Sequence, residues 1–468
     1  MNELIAMTET DPDEAVRRAT ELLNKDPDDV LGLYVVGQAY CNAARYGLAA
    51  AVLKRLVDLR PTQANAWNTY GLAVSGCGRH EDARKVFMEA WKRDHGSASA
   101  SNVAMCYLNE QNHKQALEWA QKALDIKPDG RSAMTTKGMA KLALGDFTGW
   151  DEAKYSIGGK FRKQVQFQDE PMWEGQQVQT LVAYGEQGLG DEIMYASCLE
   201  DAKSRCDRLV VECDPRLEGL FRRSFPFGEV HGTRRHQEIQ WPEHMHIDAS
   251  CPVGRLPEFF RRSIDAFPRK PYLKADPERS IQWRALMDSW GNRPKIGLAW
   301  SGGSQHNHPE ARQIGLSAFA PIFDAIDADF VSLQYKDPTN EINASGLPIR
   351  HFKRACLTDD YDDTAALVAE LDLVIGVHTS VHHLAGGLGV PSVILVPEKT
   401  IWTYAGDTMP WYGTAELFKQ RKGETWASTI NRLKEKLCAE SSLSSLPNRS
   451  NPAPDASPPQ SARLLANA

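Results

Sequence analysis

The sequence predicts an α + α/β fold: an array of helical repeats followed by two doubly wound, Rossmann-like domains. In the first third, segments ending in Asp26-Pro27, Arg60-Pro61 and Lys127-Pro128 keep a spacing of about 34 residues or its multiple, which is typical of helix-turn-helix repeats. From Val178 onward, short apolar runs alternate with helical segments in two series, the pattern of parallel sheets covered by helices. The stretch Leu371–Pro397 alone contains two apolar strands with a helix between them, which predicts a β-α-β unit.

The composition is that of an ordinary globular protein. The 468 residues suffice for two to four domains, each with its own core. A net charge of −7 with a pI near 6.0 argues against general nucleic-acid binding. The nine cysteines form no C-x-x-C pair, which predicts reduced thiols and gives no zinc-site spacing. The acidic N-terminus lacks the apolar run of a signal peptide, and no apolar run approaches the ~20 residues of a membrane span. We therefore expect a soluble, cytoplasmic protein.

The repeats are predicted over residues 1–150, and their period is that of the tetratricopeptide repeat. Each unit needs bulky residues between helices and small residues where the helices cross. Three units supply them, and the residues are Leu33, Gly37, Tyr40, Ala49 and Leu53, then Trp67, Tyr70, Gly71, Ala83, Phe87 and Ala90, then Val103, Ala104, Tyr107, Ala116 and Ala123. Core packing is the simplest interpretation of all of these. The polar Asn65, Asn68, Asn102, Asn109 and Gln111 are candidates for contacts with an extended peptide, or are helix caps and surface residues.

The rest of the chain is predicted to comprise a connector (residues 151–177), a first α/β domain (178–275), a second α/β domain (276–439) and a tail (440–468). In the first α/β domain, Val178–Tyr184 is a predicted strand, and Asp191–Arg205 is predicted to form one helix after a glycine-rich turn. The tail is dominated by Ser, Pro, Asn and Ala, so we expect it to be disordered.

The turn after the first predicted strand of Leu371–Pro397 is a candidate anion site. Thr379 and Ser380 open the next helix, where unsatisfied backbone N–H groups and the helix dipole favour negative charge. Ligands of such sheets bind at the carboxyl ends of the strands. The pattern favours a phosphate-bearing ligand, with a nucleotide-sugar as the leading candidate. The alternative is that Thr379 and Ser380 only cap the helix.

Several stretches carry a resemblance to a known family. They are GEQGLGDEI (185–193), IGLAWSG (296–302), RQI (312–314), FVSLQ (330–334), DDTAALVAELDLVIGVHTSVHHLAGGLGVPS (362–392) and PWY (410–412). Together with the repeats, they make the chain resemble bacterial tetratricopeptide proteins with a C-terminal glycosyltransferase module. That module is distantly similar to heptosyltransferases and has the GT-B fold of two facing Rossmann-like domains.

The resemblance implies that the second α/β domain binds the nucleotide-sugar donor. The implied donor-binding residues are Ser301, Gly302, Arg312, Gln334, His378, Thr379, Ser380 and His383. Helix dipole and hydrogen bonds would neutralise the leaving diphosphate, so neither a metal nor another cofactor is expected. A surface role for Arg312 and a core role for His383 remain as alternatives.

The resemblance also implies that the first α/β domain supplies the acceptor side. Gly188 and Gly190 would form a glycine-rich loop, and Asp191 would be the catalytic base that takes the proton of an acceptor hydroxyl. A single displacement at the sugar carbon would invert its configuration. The alternative for Asp191 is a helix-start aspartate that interacts with the helix dipole.

One position departs from the family pattern. Related sequences commonly have Asp where His378 stands, and His382 also replaces a small residue. Three functions therefore stay open. The first is an inverting glycosyltransferase whose repeats recruit a protein acceptor. The second is a repeat adaptor with an inactive glycosyltransferase-like module. The third is an enzyme with a small or lipid-linked acceptor, in which the repeats serve assembly.

Overall fold

The computed structural model describes residues 2–159, 162, 167, 170–233, 246–302, 313–356, 360–398 and 408–439. The predicted disordered tail (440–468) and the predicted phosphate-binding Arg312 lie outside these residues. Within them, no helix combines the length and the apolarity needed to cross a membrane.

The N-terminal part is a row of antiparallel helix pairs, as the repeat period predicts. The helices are α1 (Asn2–Thr10), α2 (Pro12–Lys25), α3 (Val30–Asn42), α4 (Tyr46–Leu59), α5 (Ala64–Gly76), α6 (His80–Asp94), α7 (Ser97–Asn109), α8 (His113–Ile126) and α9 (Arg131–Ala143), and a short α10 (Trp150–Ala153) follows. A Cβ on Gly71 would lie 2.5 Å from the Phe87 ring, and one on Gly37 would collide with Leu53. The small residues at the helix crossings therefore let each pair pack closely, as predicted.

The first α/β domain contains a parallel sheet of four strands in the order β3-β2-β1-β4. Its elements are β1 (Val178–Tyr184), α11 (Leu189–Ala196), α12 (Leu199–Lys203), β2 (Cys206–Cys213), α13 (Glu218–Ser224), β3 (Glu229–Gly232), β4 (Ala249–Pro252) and α14 (Pro257–Phe260). Residues 181–184 of β1 are buried. Such continuous burial is expected of a strand in a sheet that is covered on both faces.

The second α/β domain contains a parallel sheet of six strands in the order β10-β9-β8-β5-β6-β7. Its elements are α15 (Pro277–Asp288), β5 (Lys295–Ala299), α16 (Ala320–Ala325), β6 (Asp329–Ser332), α17 (Thr339–Ser345), β7 (Ile349–Arg350), α18 (Lys353–Cys356), α19 (Tyr361–Ala369), β8 (Leu373–Val377), α20 (Ser380–Leu388), β9 (Ser392–Val396), β10 (Ala415–Lys419) and α21 (Trp426–Ala439). Counted within the domain, this is the strand order 3-2-1-4-5-6 of doubly wound dinucleotide-binding folds. The predicted fold class, helical repeats followed by two parallel-sheet domains, is confirmed.

The prediction of one helix over Asp191–Arg205 is wrong, because the structure has two helices there. The break falls at Ser197, whose hydroxyl donates to the Met194 carbonyl (2.8 Å). The guanidinium of the buried Arg261 donates to the Ser197 carbonyl at 2.7 Å. A carbonyl that would continue the helix is therefore bound by a side chain from a distant part of the sequence.

The last repeat helices are joined to the α/β domains by a buried aromatic cluster, which we define as Phe147, Trp150, Tyr195, Phe267 and Trp411. The Trp150 indole N–H donates to the Arg261 carbonyl at 3.0 Å. The Trp411 ring meets Trp150 at 6.5 Å, Tyr195 at 5.6 Å and Phe267 at 4.9 Å between centroids, each edge to face. Because these side chains belong to the repeat end and to both α/β domains, the three parts share one hydrophobic core.

Candidate functional site

The candidate site lies where the strand order of each sheet reverses. In the second domain this point is between β5 and β8, which pair in parallel. In the first domain it is between β1 and β4. Loops at the carboxyl ends of such strand pairs form the ligand crevice of doubly wound sheets. Among the predicted donor residues, Ser301 and Gly302 follow β5, Gln334 follows β6, and the histidines, Thr379 and Ser380 follow β8, while the predicted acceptor-side loop follows β1.

The two crevices meet through the first turns of α11 and α20. A Cβ on Gly190 would lie 3.0 Å from the His383 ring and 3.2 Å from Ser380 Cα. Glycine at this position therefore lets the two helix N-termini approach each other. The structure thus brings the predicted acceptor-side loop against the predicted donor turn.

Within the second domain, the loop after β5 contacts the turn after β8. A Cβ on Gly302 would collide with the Thr379 methyl group, and one on Gly376 would collide with the Ala299 carbonyl. Gly302 thus allows the close approach of the two loops, and Gly376 allows the ends of the paired strands β5 and β8 to lie close together. Ser301 also belongs to this contact region, and its Oγ lies 2.6 Å from the Gln334 side-chain amide.

The side chain of Gln334 stabilises the loop after β5 through hydrogen bonds to Ser301. This side chain is buried. With the amide oriented so that its oxygen faces donors, Gln334 accepts from the Ser301 N–H (3.0 Å) and donates to the Ser301 carbonyl (2.9 Å). The donor-binding role of Gln334 stays a prediction. What the structure shows is support for Ser301.

Thr379 occupies the N-cap position of α20, but its side chain makes no capping hydrogen bond. Among the described residues, the buried Thr379 Oγ1 has no hydrogen-bond partner. A buried hydroxyl without a partner is costly. The capping alternative therefore does not account for Thr379, whereas a ligand at this turn would supply the missing partner.

Ser380 receives a hydrogen bond from a residue that the sequence did not single out. The Tyr361 hydroxyl, at the start of α19, donates to Ser380 Oγ at 3.1 Å. Burial raises the pKa of Tyr361 to about 12, and the Ser380 hydrogen bond acts in the opposite direction. Tyr361 thus remains a neutral donor at physiological pH and orients the Ser380 hydroxyl.

Two predicted donor residues, His378 and His383, are linked by a hydrogen bond. Their Nε2 atoms lie 3.0 Å apart, and His383 Nδ1 lies 2.9 Å from the Tyr412 hydroxyl. His383 is buried with an exposed fraction of 3%. Both ring nitrogens of His383 therefore face protein groups. Sequence analysis noted Tyr412 only as part of the PWY stretch.

On the acceptor side, the candidate base Asp191 lies in the first turn of α11. Its Oδ2 accepts a hydrogen bond from the Gly188 N–H at 3.1 Å. This is the helix-start interaction that the alternative interpretation predicts. A carboxylate has two oxygens with several lone pairs, so this bond does not prevent Asp191 from accepting another proton or hydrogen bond.

A second acidic residue, Glu186, lies in the turn between β1 and α11 and is buried. It forms an ion pair with Arg162, and the Gln187 amide donates to its Oε1 at 2.8 Å. Sequence analysis did not identify Glu186 or Arg162, because only the fold brings the connector back to this turn. The GEQGLG motif was the available signal for Glu186.

His382 differs from its neighbour His383, because its ring is fully buried and lies under the donor turn. Burial lowers the pKa of His382 to about 4, with the Gly376 backbone acting weakly in the opposite direction. His382 is therefore neutral throughout the physiological range. The positive charge that the site can acquire near neutral pH does not come from this residue.

Comparison with known proteins agrees with this architecture. Tetratricopeptide-repeat models match residues 4–64 and 99–129, so the protein is a tetratricopeptide-repeat protein with two further α/β domains. It is 30% identical over 433 residues to Protein FlbA of Caulobacter vibrioides, covering 87% of this chain and 72% of FlbA. The chain belongs to the FlbA family.

Two solved structures show local or distant similarity. MamA shares 26% identity with a TM-score of 0.28, covering 32% of this chain and 86% of MamA. A glycosyl transferase family 9 protein from Veillonella parvula DSM 2008 shares 12% identity with a TM-score of 0.44, covering 58% of this chain and 99% of that protein.

The buried His382 predicts a loss of stability in mild acid. Between its ordinary pKa of about 6.5 and the folded value, the unfolded chain binds a proton that the folded chain does not. As pH falls through this window to about 4, the free energy of unfolding should drop by up to about 3 kcal/mol. Urea unfolding at pH 7 and pH 5 should show a smaller drop for His382→Leu than for the wild type. The exposed His246→Leu is the control and should keep the wild-type drop; equal drops in all three proteins would contradict the assignment.

Proposed function

We propose that this protein is a glycosyltransferase that moves a sugar from a nucleotide-sugar donor to an acceptor, by metal-independent inverting displacement. The observation that carries the proposal is the meeting of two sheet crevices at the α11–α20 contact. One crevice presents the carboxylate of Asp191, and the other presents the turn of His378, Thr379 and Ser380. This arrangement supports a role for Asp191 as general base opposite a helix N-terminus that would bind the diphosphate.

On the donor side, the N-terminus of α20 would hold the diphosphate. Backbone N–H groups and the helix dipole favour the anion. Thr379 Oγ1, which has no hydrogen-bond partner among the described residues, and the Ser380 hydroxyl oriented by Tyr361 would donate hydrogen bonds to it. Ser301 and Gly302 form the opposite wall of the same crevice. Arg312 remains the predicted additional cation.

On the acceptor side, Asp191 would act as general base. The acceptor oxygen forms a bond to the anomeric carbon while its proton passes to the Asp191 carboxylate. The bond between that carbon and the diphosphate oxygen breaks, and the nucleoside diphosphate leaves with the electron pair. One displacement from the opposite face inverts the anomeric configuration. The diphosphate charge is stabilised by the groups of the α20 turn.

We further propose that the acceptor is a protein bound by the repeats. Tetratricopeptide arrays offer extended surfaces for binding other proteins. The predicted groove residues Asn68 and Asn102 are joined by a hydrogen bond of 3.1 Å, and Asn68 donates to Ser99 Oγ at 3.0 Å. These contacts form a polar row across two repeats. The buried aromatic cluster fixes the end of the repeats against the α/β domains. An acceptor bound by the repeats would therefore lie at a fixed position relative to Asp191.

A repeat adaptor with an inactive module is the second candidate. It is favoured by the bond between Asp191 and the Gly188 N–H, and by histidine at position 378, where related sequences commonly have aspartate. Under this alternative, the α20 turn would still bind a nucleotide, but no sugar would be transferred. A glycosyltransferase with a small or lipid-linked acceptor is the third candidate.

The donor turn can be tested by calorimetry with a panel of nucleoside diphosphates. The double change Thr379→Val and Ser380→Ala should weaken binding by about 1–3 kcal/mol, because hydrogen bonds to a charged ligand are lost. A chelator should leave the affinity unchanged. Thr425→Val with Ser428→Ala is a matched control at the start of α21, where the same residue types form a local hydrogen bond. An unchanged affinity after the first pair of changes would refute the donor site.

The role of the repeats can be tested with a fragment of residues 129–468. This fragment keeps α9 and the aromatic cluster, so it should fold and bind nucleoside diphosphate as the full chain does. It should lose most transfer to the protein that the full chain modifies, while slow donor hydrolysis continues. A fragment of residues 163–468 lacks Phe147 and Trp150 and should be less stable, by roughly 3–5 kcal/mol for the loss of buried aromatic side chains. Full transfer by residues 129–468 would show that the repeats do not recruit the acceptor.

Asp191→Asn separates an enzyme from an inactive adaptor. If Asp191 is the base, transfer should fall by about 10²–10⁴-fold with nucleotide affinity preserved. If it only stabilises the start of α11, the change should cost about 0.3–1 kcal/mol of stability with transfer nearly intact. Asp29→Asn is the control, because Asp29 also stabilises a helix start, as the N-cap of α3 that accepts from the Gly32 N–H at 2.6 Å, but lies in the repeats. Transfer rates and melting curves of the three proteins give the answer.

A further inference from the structure

The side chains of His378, His383 and Tyr412 form a hydrogen-bonded chain at the donor turn, and this chain limits the charge that the turn can carry. We propose that Tyr412 and His383 are positioning residues, which hold His378 in the orientation and protonation state of a single cation beside the diphosphate. The inference rests on the proposed function, because it assigns the histidine pair to the same donor site. It adds Tyr412 to that site and gives His383 an indirect role, through His378.

The distance between the two imidazoles limits their charge. Their Nε2 atoms lie 3.0 Å apart, so one proton can lie between them, donated by one ring and accepted by the other. If both rings were imidazolium, both Nε2 atoms would carry a hydrogen, and the two N–H groups would repel each other at this distance. The pair therefore carries at most one positive charge at this distance.

Tyr412 can accept the Nδ1 proton that His383 carries whenever the pair is charged. If His378 is the imidazolium, its Nε2–H donates to His383 Nε2, and the proton of the neutral His383 must then be on Nδ1. That N–H faces the Tyr412 oxygen at 2.9 Å, which can accept it. In the reverse arrangement, the Tyr412 O–H donates to His383 Nδ1 and His383 donates to His378, which is then neutral. An anion at the turn favours the first arrangement.

The packing fixes Tyr412 in place. A Cβ on Gly386 would collide with the Tyr412 ring, so the ring lies flat against α20. The preceding residue, Trp411, is buried in the aromatic cluster. Tyr412 therefore cannot turn away from His383 without opening a core shared with the repeats. This rigidity suits a residue that acts by orienting another.

The other ionisable groups around the pair, within the described part of the chain, do not explain a change of charge between pH 5 and 8. Burial lowers the pKa of His382 to about 4 and raises that of Tyr361, on α19, to about 12. Burial also raises the pKa of Tyr272, which lies near Tyr412. From α11, the Asp191 carboxylate is bonded to the Gly188 N–H. Arg216 lies near Tyr361 and is cationic throughout this range.

The experiment follows the histidine rings by side-chain NMR from pH 5 to 8 and measures the affinity for inorganic pyrophosphate at each pH. The His378→Gln variant identifies the His378 signal. Tyr412→Phe removes one oxygen and keeps the ring, and it should shift the His378 titration to lower pH. It should also weaken pyrophosphate binding about five- to tenfold near pH 6, with little effect near pH 8. In His378→Gln, the affinity for pyrophosphate should depend on pH more weakly, because only the ionisation of pyrophosphate itself then contributes.

Two further variants distinguish positioning from a general structural effect. His383→Gln keeps an acceptor near the position of Nε2 and should retain most of the pH response, whereas His383→Leu should abolish it. Tyr184→Phe is the control, because this buried hydroxyl has no hydrogen-bond partner among the described residues. It should behave as the wild type in both measurements.

The outcomes separate this inference from the proposed function. An unchanged His378 titration in Tyr412→Phe and His383→Leu, with both proteins folded, would overturn the inference even if pyrophosphate binds. A shifted titration without pyrophosphate binding in any protein would support the positioning of His378 but overturn its role beside a diphosphate, and the proposed donor site with it. A shifted titration together with the predicted loss of affinity supports both.

Discussion

The rest of the molecule depends on the contacts within the buried aromatic cluster around Trp411. Trp411 belongs to the second α/β domain, but its ring packs on Trp150 from the repeat end and on Tyr195 from α11. Aromatic pairs in edge-to-face geometry bury large areas and tolerate little displacement. The repeats and α11 therefore share one fixed contact with the loop that carries Tyr412. A protein acceptor held by the repeats would meet the site in a defined orientation.

The same constraint explains why the site is built at the junction of two domains. Each sheet offers one crevice, and neither crevice alone has both an anion-binding turn and a candidate base. The glycines at positions 190, 302 and 376 allow three backbone segments to approach within contact distance. Tyr272, from the segment between the domains, donates to the Ile193 carbonyl at 2.6 Å, and its N–H donates to Gly387 at 2.9 Å. This segment ties α11 to α20.

Local patterns in the sequence predicted most of the fold and part of the site. The repeat period and the small residues at positions 37 and 71 predicted the helix pairs, because each repeat contacts mainly its neighbours. Alternating strands and helices predicted both sheets, and Thr379 and Ser380 were found because they directly follow a strand. The break at Ser197 was not predictable, since it depends on Arg261, which is distant in sequence. Tyr361, Arg162 and the role of Tyr412 were missed for the same reason.

The effect of histidine at position 378 on the charge of the site depends on its hydrogen bond to His383. With aspartate there, as the family resemblance leads us to expect, His383 would donate its Nε2–H to a carboxylate, and the pair would bear the negative charge of the aspartate. With histidine, the same geometry allows a neutral or a positive pair. The hydrogen bond to His383 is kept, while the charge beside a bound diphosphate changes in the favourable direction. Histidine at this position thus conserves the hydrogen-bond chain of the proposed donor site while removing a negative charge from it.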